Sequence, residues 1–119
     1  MLIKKLRDAK EIAAGDRTRL RELLHPARDA VEVRYSLAAA WLAPGRQSQA
    51  HRLKTSEVYY LVHGSGVMHI GNETGKVEAG DAVYIPPGSV QWLENSGSEE
   101  IEFLCIVDPA WRPEDEEVL

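Results

Sequence analysis

The stretch PGRQSQAHRLKTSEVYYLVHG, residues 44–64, decides how this chain is read. Its first part is polar and ends at His51; its second part, from Glu57, is a run of β-branched and aromatic residues closed by Gly64. Alternation along that run puts Glu57, Tyr59 and Leu61 on one face of a strand, so a carboxylate that points inward meets a phenol nearby. Val58, Tyr60 and Val62, on the opposite face, are equally apolar. One face of an antiparallel sheet is normally wet, so a second apolar face implies a cover, either the N-terminal segment or another subunit.

The same pattern continues along the chain. VEVRYSLAAAWL, EVYYLVH, GVMHI, KVEA, AVYIP, VQWLEN and IEFLCIV are short apolar runs, separated by APG, GSG, GNETG, GD and PPGS. Seven such runs, with no helical pattern between them, predict an all-β antiparallel sandwich or barrel and argue against parallel α/β architecture. Upstream, DAKEIAAGD predicts a helical turn ended by Gly15 and Asp16. RTRLRELLH fits an amphipathic helix or a strand, and Pro26 ends it either way. At the other end, DPAWRPEDEE is expected to dock Trp111 on the outside of the barrel or on a partner, and then to fray.

With 119 residues, 44% of them apolar, the chain can fill one hydrophobic core, so a single domain over 1–119 is expected, with pairing to a second copy as added support. A homodimer is the expected assembly. The net charge of −5 is spread along the chain, and KKLR near the start is too small a basic patch for a nucleic-acid surface. Cys105 is the only cysteine and has no disulfide partner within the chain, which fits a reducing, cytoplasmic setting. No apolar stretch approaches the ~20 residues of a membrane span, and the N-terminus lacks the apolar core of a signal peptide.

The spacing of the polar residues resembles the cupin superfamily. Gly45, His51, Glu57 and Gly64 match the first cupin motif, G-x5-H-x-H-x3,4-E-x6-G, and Gly80, Pro86, Gly88 and Asn95 match the second, G-x5-P-x-G-x2-H-x3-N. With their flanking strands the two motifs cover most of residues 31–107, the expected barrel core. The resemblance implies a double-stranded β-helix, a jelly-roll barrel with its functional cavity inside, where three histidines and a glutamate typically hold a divalent transition metal. Carried over position by position, His51 is the first histidine and Glu57 the glutamate, but Leu53 stands at the second histidine position and Gln91 at the third. Leucine offers no donor, and a glutamine carbonyl is a weak, hard one. His51, Glu57 and Gln91 are therefore the candidate metal ligands for Mn, Fe, Ni, Cu or Zn, loosely held.

Arg34, Tyr59, Gln91 and Cys105 are the candidate ligand-binding residues. Arg34 shares a face with Ser36, Ala38, Ala40 and Leu42; it either holds an anionic group in the cavity or lies at a solvent edge. Gln91 reads as an inward amide able to donate and accept. Cys105, on one face with Phe103 and Val107, reads as small core packing rather than a nucleophile. His63 is expected at the surface, while His25 and His69 either reach the cavity or are ordinary satisfied histidines. Two functional readings stay open. One is a barrel that binds a sugar, sugar phosphate or carboxylic acid through a weakly held metal, with isomerisation or oxygen-dependent cleavage as the activities the resemblance implies and Glu57 or His51 as base. The other is a metal-free small-molecule binding or sensing module.

Overall fold

The computed structural model describes residues 1–119 and resolves the chain into eleven strands. They are β1 (Glu11–Ala13), β2 (Arg19–Leu24), β3 (Ser36–Leu42), β4 (His51–Leu53), β5 (Ser56–His63), β6 (Ser65–Ile70), β7 (Glu73–Glu78), β8 (Ala82–Ile85), β9 (Gln91–Glu94), β10 (Ile101–Asp108) and β11 (Glu116–Val118). A six-stranded sheet in the order β1-β2-β3-β10-β5-β8 faces a five-stranded sheet in the order β11-β4-β9-β6-β7, and every pairing is antiparallel. This is the jelly-roll barrel that the motifs predict. No helix is long and apolar enough to cross a membrane.

Strand alternation supplies the core. Along β10 the burial alternates without a break, with Ile101, Phe103, Cys105 and Val107 pointing inward. Leu61, Ile85, Leu93 and Met68 meet them from both sheets. Full burial of a side chain as large as Phe103 contributes about 1.5–3 kcal/mol.

The two motifs are physically linked. The Gly45 N–H donates to the Asn95 carbonyl at 2.8 Å, and the Gly88 N–H donates to the Leu53 carbonyl at 2.7 Å. Asn95, 1% exposed, spends its amide on the Leu42 and Glu99 carbonyls and accepts from Gly97 N–H, so it pins the mouth of one loop to another. Gly64 turns β5 into β6 at φ 88°, where a Cβ would come within 2.8 Å of the Glu100 carbonyl oxygen.

Two segments depart from the expectations, and a third resolves to one of its two expected forms. The helical turn expected at DAKEIAAGD is strand β1, preceded by a 3₁₀ turn at Leu6–Asp8. RTRLRELLH is strand β2: pairing with β3 satisfies its backbone and Leu20 packs on the core, and an isolated short helix has no equivalent gain. The acidic tail does not fray, because Glu116–Val118 pair with β4. Of the outer faces, the one above β3 is partly covered by β2 side chains, with the Arg19 and Arg21 guanidiniums 5.4 and 5.9 Å from the Trp41 ring centre. Tyr60, Val62 and Tyr84, on β5 and β8, have no such cover and are 42%, 45% and 61% exposed.

Candidate functional site

Cross-strand register lays the inner face of the larger sheet out in rows. Ser36, Val107, Glu57 and Ile85 form one row; Ala38, Cys105, Tyr59 and Val83 form the next; Ala40, Phe103 and Leu61 close the floor. The second row is built on Ala38 and Cys105, two small side chains, and the barrel stays hollow above them. A cavity of about 950 Å³ results, bounded by Ser36, Ala38, His51, Leu53, Glu57 and Tyr59 among others. Its mouth is walled by the N-terminal segment, where Lys4 Nζ meets Asp29 Oδ1 at 2.7 Å and Arg28 pairs with Glu22 at 2.6 Å.

Three chain segments far apart in sequence place acids around His51. Glu57 comes from β5 and is 6% exposed; Asp16 comes from the turn between β1 and β2 and is 7% exposed. Glu116 lies directly across from Leu53 in the β4–β11 pair, so the C-terminal strand brings a carboxylate to the position where the resemblance expects a second histidine. Gly15 leaves room for it, since a Cβ there would touch Glu116 Oε2 at 3.4 Å.

The hydrogen bonds fix the roles of these groups. His51 Nδ1 lies 3.0 Å from the Gln49 carbonyl, which can only accept; Nδ1 therefore carries the proton, and in the neutral ring Nε2 keeps the lone pair. Asp16 Oδ2 is 3.9 Å from the same Nδ1, and Asp16 Oδ1 accepts from the Thr18 hydroxyl at 2.7 Å and the Thr18 N–H at 3.1 Å. Glu57 Oε1 accepts from Gln91 Nε2 at 3.1 Å. Burial pushes the Glu57 carboxyl up to about 8; the Gln91 bond works against this, and the charges of Asp16 and Glu116 add to it. Burial also raises Glu116, opposed by nearby His51 and reinforced by Asp16. The Tyr59 phenol and the Cys105 thiol are both driven well above their ordinary values by burial, so each is a neutral group here. Glu57 is thus an acid able to give or take a proton near neutral pH, on the same cavity lining as His51.

The structure brings together His51, Glu57, Tyr59 and Cys105 on the cavity wall. Gln91, fully buried, stands behind Glu57 rather than on the cavity surface, and its Oε1 has no hydrogen-bond partner. Arg34 is placed elsewhere: it precedes β3, so the strand alternation does not reach it, and its side chain is 79% exposed with Asp108 at 3.6 Å. It offers no guanidinium to a ligand in the barrel. His25 is tied by Nε2 to the Trp111 carbonyl at 2.7 Å, and His69 stacks on Trp92 at 4.4 Å and meets Glu94 at 3.0 Å, so neither replaces a missing ligand. Trp111 was expected outside the barrel and instead lines the cavity. Sequence reasoning missed Asp16 and Glu116; the one signal was the acidic run near the C-terminus, which read as a solvated tail.

The residues present do not fit the metal set of the resemblance. Leu53 is 4% exposed and apolar, Gln91 presents its NH₂ to Glu57, and no group of three or more His, Cys, Asp and Glu side chains converges on a metal position. Of the four-residue set the resemblance implies, only one imidazole and one raised carboxyl remain, a poor donor set for a transition metal.

The Cupin domain family matches residues 41–107. An uncharacterized protein of Methanocaldococcus jannaschii is 40% identical over 101 residues, 84% of this chain and 80% of its own length. The oxalate-binding protein of Thermotoga maritima is 31% identical over 67 residues, 56% of this chain and 55% of its own. Among solved structures, a Cupin 2 conserved barrel domain protein from Salinispora arenicola aligns with a TM-score of 0.79 at 23% identity, over 96% of this chain and 91% of that one.

Proposed function

The chain belongs to the cupin family, and from that premise we propose that it binds a small polar organic molecule inside its barrel without a resident transition metal. One observation carries this reading: the cavity of about 950 Å³ keeps His51, Glu57 and Tyr59 on its wall while apolar Leu53 occupies the second-histidine position of the motif. Pockets of this size, mostly apolar with a few convergent polar groups, suit small ligands. Arg34 lies outside and Asp16, Glu57 and Glu116 crowd the interior, so of the ligand classes considered a sugar fits better than a sugar phosphate or a carboxylic acid. Oxygen-dependent cleavage forms no part of the proposal, since the donor set supplies no redox metal site.

A second reading is favoured by Glu57 alone. A carboxyl with its pKa raised to about 8 is suited to proton transfer, and on this reading the bound molecule is isomerised with Glu57 as acid in its protonated form and as base once ionised. The assembly we propose is a homodimer in the cytoplasm. Support for the dimer comes from the uncovered apolar face at Tyr60, Val62 and Tyr84, and support for the compartment from the single buried thiol, Cys105.

The test is a melting-temperature screen of small sugars, polyols, amines and acids on chelator-treated protein, run beside an Ala38→Leu variant whose larger side chain intrudes into the cavity beside Cys105 and Tyr59. Compounds that stabilise the wild type and have no effect on Ala38→Leu are the expected result. Stabilisation that survives in Ala38→Leu, or that appears only after a metal is added, would refute the proposal.

A further inference from the structure

The polar groups on the cavity wall are unequally divided between donors and acceptors. Glu57 uses one oxygen on Gln91 and receives no other protein hydrogen bond; Glu116 has no lysine or arginine ion-pair partner and is served only by the Trp111 side chain and nearby His51; His51 spends Nδ1 on the Gln49 carbonyl and leaves Nε2 without a protein partner. Asp16 is served only by Thr18 and the edge of His51. Four basic side chains border the cavity, all toward its mouth: Lys4 and Arg28 are paired with Asp29 and Glu22, and Lys5 and Lys10 are exposed to solvent. The Tyr59 hydroxyl, on a residue 3% exposed, faces the cavity with no protein partner. Buried polar groups are normally satisfied, so this arrangement calls for a ligand that brings several N–H or O–H donors.

Charge narrows the choice. Three carboxyls within one cavity repel an anion, and a cation is what would allow them to ionise together. Apolar contact is available beside them, from the Tyr59 and Phe103 rings, 4.6 Å apart, and from Trp111. Such rings accept the alkyl part of a ligand and favour a positive charge over their faces.

Resting on the cavity-binding reading above, we propose that the ligand is an organic amine in its ammonium form, held through its N–H donors by Glu116, Asp16 and Glu57, with its carbon skeleton against Tyr59, Phe103 and Trp111.

The experiment compares matched compounds that differ in charge: glucosamine, glucose and gluconate; butylamine, butanol and butyrate; phenethylamine, phenylethanol and phenylacetate. Each is added at about 10 mM to chelator-treated full-length protein, and unfolding is followed by calorimetry. At least one amine is expected to raise the melting temperature while its neutral and anionic partners do not. Its apparent affinity is expected to fall about tenfold or more in Glu116→Gln and in Asp16→Asn, as removal of one charge-assisted bond predicts. If alcohols or carboxylates stabilise as well as the amines, and Ala38→Leu removes their effect, cavity binding stands and the amine assignment is overturned. If no compound of any charge stabilises the protein, both fall. An amine effect unchanged in Glu116→Gln and Asp16→Asn would overturn the proposed seat.

Discussion

At Glu57, burial works against ionisation, and the consequence can be read in stability. The native state holds a proton on this carboxyl up to about pH 8, whereas an unfolded glutamate releases it near its ordinary value of 4.5. Between those limits the folded protein binds the extra proton, so stability falls as pH rises and levels off above the folded value. The slope from this one group is at most about 1.4 kcal/mol per pH unit. The other groups facing it are Asp16, Glu116, His51, Tyr59 and Cys105; Glu116, also raised, adds to the slope in the same direction, while part-buried Asp29 and buried Asp115, both lowered, act below this window. Denaturant unfolding from pH 5 to 9 should show the decline in the wild type and a much flatter profile in Glu57→Gln, which should also be the more stable protein at pH 8.5. An equal slope in both would place the titrating group elsewhere. His51, Glu57, Tyr59 and Cys105 were legible in the sequence because motif spacing and strand alternation fix their faces. Asp16 and Glu116 were not, because each reaches the cavity through contacts between distant segments that no local period records, and Arg34 misled because its strand begins two residues later.

Among the elements, seven of the eleven strands coincide with apolar runs visible in the sequence. β1, β4 and β11 are three residues each, too short to show a period, and β2 carried both a helical and a strand pattern that only its pairing with β3 resolves. β11 closes the barrel edge beside β4 and delivers Glu116. Deleting residues 116–119 should lower the melting temperature by several degrees and abolish ligand-induced stabilisation, whereas Glu116→Gln should keep nearly the wild-type melting temperature; equal loss in both would mean the strand contributes only its one carboxylate. Close approach between elements makes a second test. A Cβ at Gly66 would strike the Glu94 carbonyl of neighbouring β9 and come within 2.8 Å of Ile101 Cδ1, while at Gly75, on β7, nothing lies within 4 Å. Gly66→Ala is therefore expected to destabilise by about 2 kcal/mol or more, and Gly75→Ala to change stability by less than about 1 kcal/mol, as measured by urea unfolding.

For the molecule as a whole, the jelly roll follows from the two motifs, whose residues bond one another across the loops, and this explains why the fold was readable although half of the implied ligand set is missing. What the sequence left open was the cavity itself, because its volume depends on Ala38 and Cys105 meeting across two strands rather than on any motif. Sedimentation at micromolar concentration should report a dimer that Tyr60→Glu with Tyr84→Glu converts to monomer; an unchanged mass would remove the outer face of β5 and β8 as the interface. Added Mn, Fe, Ni, Cu or Zn should shift the melting temperature little, and chelation should leave ligand stabilisation intact. The most direct test is an amide NMR titration of chelator-treated protein with a stabilising compound. The account predicts perturbations concentrated at Asp16, Ser36, His51, Glu57, Tyr59 and Cys105; perturbations that require a metal, or that fall on the outer sheet faces, would contradict it.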